Sequence, residues 1–405
     1  MPERALEAGP LHLRRPDDAS RDPAPGDGFA RVAESSPLLS EVPGRARTRL
    51  LRYSRSRRKR AGLLVLALFL LADGSAAADP SRVGYPSSMA ATGDSITRAF
   101  NTGFLPFTNA RWNSWSTGAF RSWSHYRRIL GANLGILGRN ANDARTGAKA
   151  ADLERQAGLA VAQGAQYVTI LIGANDACAS SEAAMTPVRE FRARVARAIR
   201  RLSLGLPSAR LYVVSIPNLY RLWLLFHHEA RARFAWRVTG FCKSMLAHPL
   251  STEREDEARR RRVRRRVIGY NHQLAAVCAL YIHCRFDGNA VFRHPFRREH
   301  VSKRDYFHPS LAGQRALAAV TWAAGYDFTD RVAPVSAAAA TRRDGVTWVA
   351  LSASDDRGVR GIEYRLEVGS YRRYAGPFAA PGGVAITYRA VDVNGNVEAS
   401  HTLTP

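Results

Sequence analysis

Two kinds of apolar pattern alternate between about residues 85 and 325. "QYVTILIG" (166–173) and "RLYVVSIP" (210–217) are short runs rich in Val, Ile and Tyr, which predicts strands buried on both faces. Pro217 ends the second run. Between them, "PVREFRARVARAIRRL" (187–202) repeats Val188, Phe191, Val195, Ile199 and Leu202 at helical spacing, with arginines in the gaps and Pro187 at a position that suits a helix start. The pattern further predicts a helix over about 258–278, a strand over "YIHCRFD" (281–287) and a helix over "SLAGQRALAAVTWAAG" (310–325). A first strand is placed near 88–92 from context, because "SMAAT" has little β-preference. Strands alternating with helices imply an α/β domain with a mainly parallel sheet and a ligand site at the strands' carboxyl ends.

After "DFTDRVAPVS" (327–336) the period changes to two. "GVTWVALSASD" (345–355), "GIEYRLEV" (361–368) and "GVAITYRAVDVNGN" (383–396) alternate apolar and polar positions between Asp, Gly, Pro and Asn clusters, which predicts a small antiparallel β-sandwich. Its ending "YRAVDVNGN" resembles bacterial immunoglobulin-like modules of secreted proteins, which implies a spacer or stabilising module, or one that attaches to a polymer or cell surface. At the other end, residues 1–50 are rich in Pro, Ser, Asp and Arg without apolar periodicity and read as disordered. Next come the basic "RSRRKR" (55–60), the apolar "AGLLVLALFLLA" (61–72) and the small-residue "DGSAAADP" (73–80), a secretory signal with cleavage expected after Ala78. The twelve apolar residues fall short of the roughly 20 that a spanning helix needs. The sixty residues upstream are long for a signal's basic region, and a translation start further downstream would account for them. The expected organisation is an extension over 1–60, a signal over 61–78, an α/β catalytic domain over 79–330 and a β-sandwich over 331–405.

A chain of 405 residues with 46% hydrophobic residues has length enough for a real core in two domains. The net charge of +26 raises the question of nucleic acid. Only four of the 60 basic residues are lysines, and the excess is spread along the chain, a compositional bias in favour of Arg. In "EDEARRRRVRRRV" (255–267), Val263 and Val267 fall on one helical stripe with Tyr270, Leu274 and Val277, so the arginines read as a solvated helix face. No specific nucleic-acid partner is assigned; a basic surface favours anionic membranes or cell-wall polymers. "FHHEA" (226–230) lacks a third ligand at sensible spacing, and no metal or cofactor is assigned. The four cysteines, Cys178, Cys242, Cys278 and Cys284, all follow the signal, and an even number in an exported chain implies two disulfides with three possible connectivities. Cys178–Cys242 with Cys278–Cys284 is favoured, since the second pair closes a short loop between a helix and a strand.

Four segments carry candidate chemistry. In "ATGDSITRAFN" (91–101), Gly93 permits a sharp turn, and Ser95 is either a nucleophile or a cap on a helix starting near Ile96. "NDARTGAKAADL" (142–153) places Gly147 before a helical stretch, the strand ending at Ile172 delivers "GANDAC" (173–178), and "RDYFHPSLAGQ" (304–314) sets Asp305 and His308 three apart. These are the parts that ester hydrolysis needs. A serine hydroxyl requires a base, a histidine can take its proton, and a carboxylate on the ring's other nitrogen fixes the tautomer. The developing oxyanion needs fixed donors, which the Ser95 N–H, the Gly147 N–H and the Asn175 amide can supply.

In order, these segments match the motif blocks of the SGNH (GDSL) hydrolases, a family that the chain resembles over about residues 88–325. The resemblance implies Ser95 as nucleophile, Gly147 and Asn175 as oxyanion donors, and Asp305 and His308 as orienter and base. It also implies a flavodoxin-like three-layer α/β/α sandwich without a cofactor. "WNSWSTG" (112–118), "RSWSHYRRIL" (121–130), "GAKAADLERQA" and "VTILIGANDAC" are similar to the phospholipase B-like branch. Cys178, just after the Asn175-Asp176 pair, belongs to that likeness and supports its pairing with a downstream cysteine. Charged Asp143 and Arg145 depart from the family's smaller residues in the second block, and Arg304 precedes the last. The expected activity is that of a secreted, monomeric serine esterase or lipase on fatty-acyl or phospholipid esters, with polysaccharide O-deacetylation and a non-catalytic polymer-binding role as alternatives. Trp112, Trp115 and Trp123 are candidates either for an acyl-binding cleft or for the core. "YRLWLLF" (220–226) is read as core in preference to a cleft-side lid.

Overall fold

The computed structural model describes residues 81–405, so the extension expected over 1–60 and the signal expected over 61–78 lie outside the described residues. Five short strands form a wholly parallel sheet: β1 (Met89–Gly93), β2 (Asn140–Asn142), β3 (Tyr167–Leu171), β4 (Arg210–Val213) and β5 (Cys284–Phe286), in the spatial order β2-β1-β3-β4-β5. The three central strands, β1, β3 and β4, are buried along their whole lengths, as suits a sheet covered on both faces. Edge strand β2 reads Asn-Ala-Asn, has no apolar periodicity and gives no sign of itself in the sequence.

The helices, in chain order, are α1 (His125–Leu130), α2 (Leu153–Ala162), α3 (Ala174–Ala177), α4 (Val188–Gly205), α5 (Leu219–Phe226), α6 (Ala230–Thr239), α7 (Lys243–Leu246), α8 (Arg254–Cys278), α9 (Ala290–Arg293) and α10 (Leu311–Ala324). Helices α2, α4 and α8 pack on one another over one face of the sheet. On the other face, Tyr167 and Tyr212 meet α1 and α10: His125 bonds the Tyr167 hydroxyl and Thr321, each at 2.8 Å, and the Tyr212 hydroxyl donates to the Thr321 carbonyl. Burial holds His125 down to about 3, so the ring is a neutral strut of the core. The sheet between two helical layers is the α/β architecture expected from the sequence.

The basic helix α8 departs from a simple solvated face. Val263, Val267, Tyr270, Leu274 and Val277 form its buried stripe, but Arg260 is buried too, its guanidinium 4.3 Å from the Trp223 ring centroid. Arg259 donates to the carbonyls of Ser244 and Ala247 at the end of α7, and Arg262 pairs with Glu182 and Glu255. Much of the arginine run is thus committed to neighbouring backbone and carboxylates. The disulfides are Cys178–Cys242 and Cys278–Cys284, the second joining the end of α8 to the start of β5.

From Val335 onward the chain forms two antiparallel sheets. Strands β6 (Val335–Arg343), β7 (Val346–Ser354), β8 (Val359–Leu366), β9 (Arg372–Arg373), β10 (Phe378–Ala380), β11 (Ile386–Asp392) and β12 (His401–Leu403) are arranged as β10-β7-β6 and β12-β11-β8-β9. Val349 and Leu351 of the first sheet share one apolar cluster with Ile362, Ile386 and Tyr388 of the second. Buried polar groups fasten these sheets to the amino ends of β4 and β5. Arg210 donates to the Asn394 carbonyl, Asn396 Oδ1 and the Gly84 carbonyl, while Glu363 receives both His283 and Arg389.

Candidate active site

The carboxyl end of β1 is built around a residue that cannot carry a side chain. Gly93 has φ +141°, and a Cβ there would sit 2.2 Å from the Leu171 carbonyl oxygen on β3. Gln156 of α2 grips both sides of this residue, accepting from the Gly93 N–H at 2.7 Å and donating to its carbonyl at 3.0 Å. The chain then turns through 95–99, where a helix was expected, and Asp94 Oδ1 accepts the Ile96 N–H at 2.9 Å. Gln314 of α10 clamps the turn from the far side by donating to the Ile96 carbonyl and accepting the Trp115 N–H, both at 2.8 Å. Ser95 is therefore held by the strand, by α2 and by α10.

The turn before α10 brings in the imidazole. Asp305 Oδ1 accepts the N–H groups of Phe307 and His308, which folds 305–308 so that His308 Nδ1 lies 2.7 Å from Asp305 Oδ2. With Nδ1–H given to the carboxylate, Nε2 is the acceptor that faces the Ser95 hydroxyl at 2.9 Å. All three side chains are buried. The same Asp305 oxygen receives a further donor that the sequence reading missed, the Asn101 amide, whose Oδ1 in turn accepts the Phe107 N–H. Phe100 and Phe307 pack their rings 4.7 and 5.0 Å from the imidazole centroid, which keeps solvent from its sides.

The expected oxyanion donors are placed less uniformly. Asn175 opens α3 behind Gly173 and lines one cleft with Ser95 and His308; one of its amide hydrogens goes to the Ala148 carbonyl at 3.0 Å. Gly147 has φ +80° and is exposed on the loop from β2 to α2, which is tied to β1 by the Arg145 N–H to the Gly93 carbonyl. It does not line the cleft itself and sits one residue before the Ala148 carbonyl that Asn175 holds. Beneath these loops, Asp176 accepts the Ala150 N–H and the Thr186 hydroxyl, each at 2.8 Å. Asp94 is wholly buried and its second oxygen has no hydrogen-bond partner; burial, with the Asp176 charge adding to it, raises its pKa to about 7.

The cleft walls are mainly apolar. Leu219, Leu222 and Leu225 of α5 line one side, and Ile96, Phe296, Val301 and Phe307 line much of the rest, with Arg221, Asn218 and His300 as polar members. The "YRLWLLF" segment thus forms a wall of the cleft. Of the three tryptophans, Trp115 is fully buried, while Trp112 and Trp123 are exposed, and none lines the cleft. Among the described residues no group of three or more His, Cys, Asp or Glu side chains is placed to hold a metal.

A sheet flanked by helices, with a hydroxyl, an imidazole and a carboxylate in file beyond the ends of its strands, defines the class of serine-type hydrolases. The family model described as GDSL-like lipase/acylhydrolase matches residues 91–316, and the chain belongs to that family of ester hydrolases. Solved structures with a similar chain include a GDSL-like lipase from Parabacteroides merdae, at 14% identity and TM-score 0.35, covering 61% of this chain and 98% of that one. The extracellular lipase from Streptomyces rimosus matches at 16% identity and TM-score 0.34, covering 58% and 99%. A two-domain esterase active on acetylated mannans matches at 13% identity and TM-score 0.28, covering 75% and 67%. No curated protein matches the sequence.

Proposed function

We propose that the protein is a secreted serine esterase that cleaves fatty-acyl esters, phospholipids among them, through an acyl-Ser95 intermediate. The observation that carries this reading is the 2.9 Å approach of the Ser95 hydroxyl to His308 Nε2 at the base of a cleft walled by leucines and phenylalanines. In this reading His308 takes the Ser95 proton as Oγ attacks the ester carbonyl, and Asp305 stabilises the imidazolium. The oxyanion is met by the Ser95 N–H and the Asn175 amide, each worth about 3 kcal/mol in the transition state; Gly147, which stands outside the cleft lining, is given no part in this step. The tetrahedral intermediate collapses to the acyl-serine as the imidazolium protonates the departing alkoxide. Water, deprotonated by His308, then releases the acid and restores the hydroxyl. An apolar wall of this kind suits an acyl chain.

Export is supported by the signal-like 55–80 segment and by two disulfides, which persist in oxidising compartments. In this reading the catalytic domain covers 79–330, and the sheets of 331–405 form an immunoglobulin-like stabilising module of a monomeric enzyme.

A fluorophosphonate probe tests the nucleophile. The expected adduct lies on the peptide containing Ser95 and is absent in Ser95→Ala; labelling elsewhere, or equal ester turnover in the two proteins, overturns the assignment. A chain-length series of p-nitrophenyl esters set against acetylated xylan tests the substrate class, and a preference for acetyl groups alone would sink the fatty-acyl reading.

A further inference from the structure

The loop over 102–108 displays Phe104, Leu105 and Phe107 to solvent, with Phe104 93% exposed. The four consecutive apolar residues "FLPF" (104–107) are exposed, and nothing among the described residues covers them. The loop is nevertheless tightly held. The Arg304 guanidinium donates to the carbonyls of Asn101, Phe104 and Leu105, and the Thr108 hydroxyl donates to the Leu105 carbonyl at 2.8 Å. Apolar surface continues from it, since the Trp112 ring lies against Gly103 and the exposed Phe120 bonds through its N–H to the Trp112 carbonyl.

Two bonds tie this loop to the catalytic groups. At its start Asn101 bridges the Phe107 N–H and the Asp305 carboxylate. At its end Asn109 accepts the Thr146 hydroxyl at 2.6 Å, next to Gly147. Basic side chains predominate in the chain around it. Residues 95–151 carry eight basic side chains and one acidic, Asp143, which is half-buried. Arg111, Arg121 and Arg304 are exposed in or beside the apolar patch. Exposed aromatics ringed by arginines match the chemistry of an anionic lipid interface, in which apolar side chains enter the acyl boundary and cations meet headgroup phosphates.

Resting on the fatty-acyl reading above, we propose that the 102–108 loop docks the enzyme on an anionic phospholipid surface and so brings the mouth of the Ser95 cleft to the layer that holds its substrate. Because the loop is braced by Arg304 and Asn101, it enters the surface as a fixed prong, without a closing motion.

All four cysteines are in disulfides, so one introduced thiol can be labelled alone. In the full chain carrying Ser95→Ala, Phe104→Cys and Val368→Cys each receive an environment-sensitive nitrobenzoxadiazole label; both positions are 93% exposed, and Val368 lies in the turn between β8 and β9. Vesicles of phosphatidylcholine with phosphatidylglycerol are expected to blue-shift the label at 104 and leave that at 368 unchanged, and high salt is expected to weaken the response. No shift at 104, an equal shift at 368, or a shift at 104 that follows protein concentration without vesicles overturns the proposal; the last result assigns the patch to a second copy of the chain. With the native serine, Phe104→Ser combined with Leu105→Ser is expected to slow hydrolysis of vesicle-borne ester by at least about tenfold while sparing a soluble short-chain ester. Equal loss on both substrates also overturns it. A wild type inert towards every ester would fail the proposed function, while the labelled inactive protein would still decide docking.

Discussion

Asn101 donates its side-chain amide to the Asp305 oxygen that also faces His308 Nδ1. The carboxylate that orients the imidazole is itself oriented, by a residue six positions after Ser95. Removing this donor leaves Asp305 free to rotate away from the ring. Asn101→Ala is expected to lower kcat on a soluble ester by about ten- to hundredfold with little change in KM, the value of one hydrogen bond to a buried charge. Steady-state kinetics check this, and an unchanged kcat would reduce Asn101 to a loop brace.

Asp94 is held at about 7 by burial, with the Asp176 charge adding to it. The folded value lies above the ordinary carboxylate value of 3.8, so the fold favours the protonated form. Its contribution to stability is full below about pH 4 and is lost as pH rises through 7. Asp94→Asn keeps the acceptor for the Ile96 N–H and cannot ionise. The stability of the variant relative to wild type is therefore expected to grow between pH 4 and 7 and level off above. Chemical denaturation across that range measures it, and a flat difference would contradict the assignment.

Gly93→Ala would set a Cβ 2.2 Å from the Leu171 carbonyl at φ +141°. The expected cost is about 3 kcal/mol or more, with loss of esterase activity, because Ser95 is carried by the same turn. Urea unfolding and turnover of a soluble ester report the two effects.

The two disulfides close loops of very different length, with separations of 64 and 6 residues. Replacing Cys178 and Cys242 by serine is expected to cost about 4 kcal/mol, and replacing Cys278 and Cys284 about 2 kcal/mol. Denaturation midpoints of the two double variants in one buffer establish the order.

Arg210 is buried and donates to the Gly84 and Asn394 carbonyls and to Asn396 Oδ1. Arg210→Ala strands these acceptors and opens a void, at an expected cost of about 3 kcal/mol. A variant as stable as wild type would show that the C-terminal sheets hold on without it.

The long periodic elements were legible in the sequence. "QYVTILIG" and "RLYVVSIP" became β3 and β4, and the helices predicted over 187–202 and 310–325 run over Val188–Gly205 and Leu311–Ala324. Strand β2 was not legible, because an edge strand of Asn-Ala-Asn has no apolar face to show. The site reading named Ser95, Asp305 and His308, which the fold brings together, and missed the residues that position them. Gln156 and Gln314 did leave a trace: each is one amide on a mainly apolar helical stripe, Leu153–Gln156–Ala157–Ala160 and Gln314–Leu317–Ala318. A buried amide at such a place has to find partners, and both find backbone next to Ser95. Asn101 left no trace, since it sits in a turn and has no periodic apolar stripe to stand out from. Of the two roles left open for Trp112, Trp115 and Trp123, the core role holds for Trp115, and an aromatic cluster alone does not say which surface it faces.

In a parallel sheet every strand starts at one rim and ends at the other. Arg210, at the head of β4, and His283, just ahead of β5, grip the C-terminal sheets at the starting rim, whereas Ser95 stands past the finishing rim of β1. The small appendage is thus a handle at the back of the enzyme. A cargo fused to it would be held, among the described residues, at the opposite rim from Ser95.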